Sequence, residues 1–280
     1  MITIVTDTSA YFRKDEATVL GVRVVPINYS VGRQNYCESF SDQNGDFENL
    51  LRGNANRATW HPNMAAFLSC FEEELEKGGE VLCITMSSRL SGAYGTAHMA
   101  AKQSNSDRVA VFDSQLTAGG LYLLVKEAKK LADKGFSLRE LMKELPVLRE
   151  RISIAFSVDD MAPLRSSGRI GFVRLSVGTI LNIKPILLCK DGAVMSDGVA
   201  RGSTELIQRL AEKVGGDACE AVISYIGDSR TVTQLYHVVR DTCPHVRLTL
   251  QKMGPVLGIH LGVKVIAVSV LAGQDAAWQP

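Results

Sequence analysis

The 280-residue chain lacks most of the marks by which a sequence announces its chemistry. It has no excess of charge of either sign: 31 Lys and Arg stand against 30 Asp and Glu. General binding to nucleic acid or to an anionic membrane surface needs a basic excess, so both are excluded as main functions. The six cysteines stand at 37, 70, 83, 189, 219 and 243, with no C-x-x-C pair for zinc or redox work. They read as reduced thiols, which together with the absence of a signal peptide before Ile2 gives a cytoplasmic expectation. No Gly-Lys dipeptide, G-x-G-x-x-G or G-x-S-x-G occurs, and the five histidines show no metal-ligand spacing. Nucleotide-dependent and zinc chemistry are therefore unsupported, and no cofactor is expected. The most apolar stretch, Val256–Ala272, contains His260, Lys264 and two glycines. A transmembrane helix needs about 20 largely uncharged residues, so no membrane span is expected.

What is present is a core and a pattern. Hydrophobic residues make up 46% of the chain, enough for one large or two medium domains. Ile2–Thr6 and Val22–Ile27 read as strands, and residues 41–59 as a loop-rich segment with one short helix. Asn63 caps a helix whose apolar residues Met64, Phe67, Leu68, Phe71 and Leu75 have the helical period. Val81–Met86, Val109–Phe112 and Ile152–Val158 are strands, with helices between them from Ser91 and Leu121. Ser137 and Glu140 form a capping box for a further helix. The alternation predicts an α/β domain over residues 1–152, with a mostly parallel sheet and helices on both faces. A second α/β domain over 153–280 is expected to carry a mixed sheet. Its strands are 184–190 and 194–199, which flank an Asp191-Gly192 hairpin, then about 220–226, 246–251 and 263–270. Residues 164–181 read as two helical pieces, the second, Ile170–Leu181, apolar nearly all round.

Five segments carry candidate chemistry, each with a plain structural alternative. Ser87-Ser88-Arg89-Leu90-Ser91-Gly92 joins a strand to a helix, where N–H groups and hydroxyls suit a carboxylate or phosphate; alternatively Ser91 is only an N-cap. Asp113-Ser114 and the small residues after it form a second such junction, or a simple turn. Residues 161–190 hold five cations and no acid, which suggests an anionic ligand or acidic partner, or a solvated face. The apolar run 170–181 lines something greasy or packs in the core. Gly254–Gly262 reads as a glycine-punctuated loop bearing His260, either a ligand-binding or a structural histidine.

Taken together the segments resemble the DegV family, the fatty-acid-binding proteins that serve bacterial fatty acid kinase. The resemblance is carried by Val5-Thr6-Asp7-Thr8-Ser9, Thr59-x-x-Pro62, Ser87-Ser88-Arg89-Leu90-Ser91-Gly92-x-Tyr94 and Asp113-Ser114. It continues through Gly168-Arg169-Ile170, Leu181–Ile186, Arg201-Gly202 and Gly254-Pro255-Val256-x-Gly258-x-His260-x-Gly262. It implies a long-chain fatty acid held in a tunnel between two α/β domains. Thr59, Ser91 and His260 would meet the carboxylate, with Trp60, Ser88, Gly92 and Ser114 around them. Arg169 and Arg201 would face a fatty acid kinase that makes the acyl phosphate, the binding protein itself doing no chemistry. Two departures stand out. Trp60 replaces the Ser or Thr usual after the threonine, and Val263-Lys264 replaces the usual Pro-Gly after Gly262. Both bear on chain-length preference and partner choice. Two other readings stay open: a hydrolase using Ser91 or Ser114 as nucleophile with His260 as base, and a binding protein for another amphiphile.

Overall fold

A computed structural model describes residues 1–273 except 54, 61, 170–181 and 228. The first half carries β1 (Ile2–Asp7), α1 (Lys14–Leu20), β2 (Val22–Val25), β3 (Asn28–Val31), β4 (Gln34–Cys37) and α2 (Phe47–Leu50). It continues through β5 (Arg57–Thr59), α3 (Met64–Glu76), β6 (Glu80–Thr85), α4 (Ala93–Gln103), β7 (Val109–Asp113), α5 (Ala118–Asp133) and α6 (Leu138–Glu150). The second half holds β8 (Ile152–Val158), α7 (Ala162–Ser166), β9 (Ile183–Lys190), β10 (Ala193–Arg201) and α8 (Gly202–Glu212). Then come β11 (Ala218–Ile226), α9 (Ser229–Thr242), β12 (Arg247–Lys252), α10 (Pro255–Leu261) and β13 (Val265–Ala272). The helix expected over Ile170–Leu181, together with Arg174, lies outside the described residues.

The chain is an α/β protein built on two main sheets. The first is parallel, in the order β2-β1-β6-β7. Its strands alternate so that Val5, Val81 and Cys83 pack on α3 and α4, while Ile4, Leu82 and Ile84 join the core under α5 and α6. The second sheet is mixed, in the order β10-β9-β8-β13-β11-β12, and α8 and α9 cover one face with Leu206, Leu210, Leu235 and Val239. Ile152–Val158 does not continue the first sheet's alternation. It pairs antiparallel with β13 and β9, inside the second sheet. The β9–β10 hairpin turns at Asp191-Gly192, both with positive φ (50° and 77°), the geometry of a two-residue turn that matches strand twist. The capping box at Ser137 forms, Ser137 N–H reaching Glu140 Oε2 at 2.8 Å.

A third sheet, β4-β3-β5, is antiparallel and was not expected. Its strands are three or four residues long and mostly polar, so they carry little period-two signal. It matters because its last residue is Thr59. Gly254–Gly262 is likewise not a loop but largely helix, α10, with Pro255 at its first position. Its glycines answer to close approach. A Cβ on Gly258 would stand 2.9 Å from Leu51 of the segment after α2, and one on Gly254 would stand 2.4 Å from Glu38 Oε1.

Helix α5 joins the two main sheets. It packs against β1 on one side and β8, β11 and β13 on the other, and most of its residues are buried. Contact that close needs glycine: a Cβ on Gly119 would lie 2.8 Å from Ser269 Oγ and 2.9 Å from Val222 Cβ. Gly119→Ala is expected to destabilise the protein by about 1–3 kcal/mol through overpacking. Gly95→Ala, on the exposed face of α4 with open space around it, is expected to stabilise by about 0.5–1 kcal/mol. Urea denaturation of the two variants beside the wild type checks the pair, and opposite signs are the expected outcome.

Candidate functional site

The site begins with a contact that bridges most of the chain. Thr59 ends β5, which is held in place by pairing of Tyr29 with Thr59 across β3 and β5. His260 lies in the last turn of α10, which packs on β5, β3, α2 and α7. Thr59 Oγ1 and His260 Nε2 share a hydrogen bond of 2.7 Å. Burial, and then the nearby charge of Arg169, push the imidazole down to about 4, so it is neutral around pH 7. Of its two tautomers, only the one with the proton on Nε2 leaves the Thr59 hydroxyl hydrogen free for a third group.

Beside this pair lies a cavity of about 910 Å³, counting the open space at its mouth. Its floor is the inward face of β8 and β13, where Ile154, Phe156, Val265 and Ala267 share one side by strand alternation. Val256, Leu257 and Leu261 of α10 form one wall, Met86 and Leu90 another. Cys189 and Val194 arrive from β9 and β10. The cavity is thus lined from both halves of the chain and almost wholly by carbon. The polar side chains on it are Thr59, Ser91, Thr117, Arg169 and His260, along with the edge of Trp60, which is 46% exposed.

Three of these, Thr59, Arg169 and His260, also line an open groove on the outside, together with Arg57, Asp160 and Ser167. The polar cluster therefore stands at the boundary between an apolar interior and a polar surface. Ser91 sits just before α4, its Oγ accepting the Ala93 N–H at 3.3 Å, with Gly92 as the residue at the helix start. Arg169 is steadied by backbone carbonyls, donating from Nε to Leu90 at 3.4 Å and from Nη1 to Ser167 at 2.5 Å.

Of the residues nominated from the sequence, the fold brings Thr59, Trp60, Ser91, His260 and Arg169 onto one cavity. Arg169, expected on a partner-facing surface, borders the cavity as well as the outer groove. Ser88 does not line the cavity; it donates to Asp113 Oδ2 at 2.5 Å at the surface. Ser114 is fully buried and closes a turn, its Oγ accepting the Leu116 N–H at 3.0 Å, which is the turn reading of that junction. Arg201 stands apart where β10 meets α8, its backbone N–H bonded to Glu205. Among the described residues no His, Cys, Asp and Glu group could hold a metal, and no helix is long and apolar enough to cross a membrane. A serine nucleophile needs its hydroxyl on the base and a third group behind the base. Here the imidazole Nε2 is on Thr59, and Ser114 is sealed in its turn. The apolar lining was missed by sequence reading. Its alternation on β8 was legible, but nothing local says which face of a strand borders a void.

A family model described as "Uncharacterised protein, DegV family" matches residues 1–273. A DegV domain-containing protein of Halalkalibacterium halodurans is 30% identical over 275 residues, covering 96% of this chain and 97% of that one. A DegV family protein from Thermus thermophilus, whose structure concerns its fatty acid binding, superposes with a TM-score of 0.87 at 30% identity. The match covers 97% of this chain and 99% of that one. DegV from Bacillus subtilis, a fatty acid binding protein, shares the fold with a TM-score of 0.83 at 24% identity, covering 96% and 99% of the two chains.

The neutral His260 has a measurable consequence. An unfolded chain protonates its histidines near 6.5, whereas the folded protein holds this one unprotonated down to about 4. Between those values the unfolded state binds the extra proton, so stability falls as pH drops from about 6.5 towards 4. His260→Gln is expected to lose less stability than the wild type over that window, measured as the difference between urea midpoints at pH 7 and pH 4.5.

Proposed function

The chain belongs to the DegV family, and from that premise we propose that it binds a long-chain fatty acid and presents it to a separate fatty acid kinase. The tail occupies the apolar cavity and the carboxylate lies at its boundary, on Thr59, Ser91 and His260. Residues 1–152 and 153–280 act as two lobes that meet around the tail. The observation that carries this reading is the boundary itself: hydroxyls, a neutral imidazole and a guanidinium where a carbon-lined cavity opens onto a polar groove.

The energetics divide along the same line. About fourteen methylenes of palmitic acid, at about 0.8 kcal/mol each, contribute on the order of 11 kcal/mol before the cost of association. The tail therefore supplies affinity. The head must offset several kcal/mol of carboxylate desolvation, which charge-assisted hydrogen bonds do. The Nε2–H tautomer of His260 donates to Thr59, whose hydroxyl then points its hydrogen at the carboxylate. Among the described residues Arg169 supplies the one full positive charge on the cavity wall. The acid so held is the nucleophile that the kinase needs, its oxygen facing the groove from which a phosphoryl donor approaches. The chain supplies binding and orientation, and the kinase supplies the nucleotide and the chemistry.

Organic extraction of the purified protein followed by mass spectrometry is expected to release a long-chain fatty acid; an unrelated amphiphile in its place would overturn the assignment. Ser91→Ala is expected to retain lipid within about twofold yet lower kinase-dependent acyl-phosphate formation by about tenfold, the loss of one hydrogen bond to a charged group. Equal loss of both would contradict the division between tail and head.

A further inference from the structure

We infer that Glu38, which touches neither the cavity nor His260, is a positioning residue that fixes the start of α10 and thereby the height at which His260 meets Thr59; the inference rests on the fatty-acid reading above. Glu38 follows β4 and is 1% exposed. Its Oε1 accepts the Val256 N–H at 3.0 Å and lies 3.5 Å from the Tyr11 hydroxyl. The Tyr11 oxygen in turn accepts the Leu257 N–H at 3.4 Å. A helix begins with N–H groups that have no intrahelical partner, usually met by a capping side chain or water. The residue before α10 is Gly254, with no side chain to offer, and two of those groups go instead to this buried acid and phenol. Only glycine permits it, since a Cβ at 254 would lie 2.4 Å from Glu38 Oε1.

The link to His260 is geometric. Val256 and His260 are four residues apart, so they lie on one face of the helix, about 6 Å apart along its axis. A two-turn helix is short enough to move as a unit. Whatever holds the Val256 N–H therefore sets the imidazole against Thr59, which is anchored independently by β3.

The acid does this as a neutral group. Burial pushes Glu38 up to about 8, against the opposing pull of its hydrogen bonds. Among the described residues no cation shifts it. Asp7 of β1, Tyr11, Tyr29 of β3 and Cys37 of β4 are each raised by burial. Among the described residues Glu38 Oε2 has no hydrogen-bond partner. The folded state thus holds a proton that the unfolded chain releases near 4.5, and the stability this contributes is lost as pH rises through about 8.

The test compares wild type, Glu38→Gln and Glu38→Ala by displacement of a fluorescent fatty acid, with palmitic acid and its methyl ester as competitors. The acid-to-ester preference reads the head group, and the ester affinity reads the cavity. At pH 7 Glu38→Gln is expected to keep the wild-type preference, while Glu38→Ala loses about tenfold of it and keeps the ester affinity. Between pH 7 and 9 the wild-type preference is expected to fall and that of Glu38→Gln to stay level. An unchanged preference in Glu38→Ala, or parallel pH profiles for wild type and Glu38→Gln, would overturn the role of Glu38. If Glu38→Ala does not fold by circular dichroism, the pH profiles of wild type and Glu38→Gln decide alone. A wild type that binds neither lipid, or both equally, instead overturns the fatty-acid reading and this inference with it.

Discussion

The hydrogen bond between Thr59 and His260 depends on distant parts of this molecule. It joins residues 201 positions apart, one at the end of a short strand and the other near the end of a two-turn helix. Neither element has much stability of its own. β5 pairs with the edge that β3 offers it, and the first N–H groups of α10 are taken up by Glu38 and Tyr11. The bond marks the limit of the carbon-lined cavity, beyond which the surface is polar. Holding a group at such a limit is demanding, because a polar atom a few ångströms further in would lose its hydrogen bonds and further out would be screened by water.

The neutrality of the buried groups follows from that position. Around the cavity and behind α10 lie an imidazole held below its usual range and a carboxyl held above its usual range. Both are displaced by the same cause, the cost of charge away from water. The consequence, among the described residues, is a cavity wall whose full charge comes from Arg169 and, on the proposed reading, from the ligand. An anion entering such a place meets donors already oriented and need not compete with a resident carboxylate.

The two sheets are held together by contacts that local sequence does not announce. Gln251 donates to the carbonyl of Ala10 at 2.9 Å, and Ser87 to that of Gly192 at 2.7 Å. Arg89 reaches the carbonyl of Asp191 at 3.1 Å. Helix α5 lies between the sheets, with Gly119 and Gly120 against the second. Ser87 shows how one motif serves several ends: within SSRLSG one serine binds the opposite hairpin, the next caps Asp113 and the last faces the cavity. Spacing alone could not divide those roles.

Periodicity over a few residues was enough to determine the parallel sheet, the helices on its two faces, the capping box at Ser137 and the Asp191-Gly192 hairpin. Each is decided by chain-local physics: which side of a strand or helix is apolar, and which residues accept a turn's dihedral angles. Motif order extended this to the family and nominated Thr59, Ser91 and His260, which the fold places on one cavity. The tertiary structure alone decided that 254–262 is a helix, that β8 belongs to the second sheet, that Ser114 is sealed in a turn, and that Arg169 borders the cavity. Glycine in a sequence signals both flexible backbone and close packing, and only the neighbour that fills the missing Cβ tells them apart. A void, likewise, is a property of surfaces that meet from distant segments, and so has no signature in any one of them.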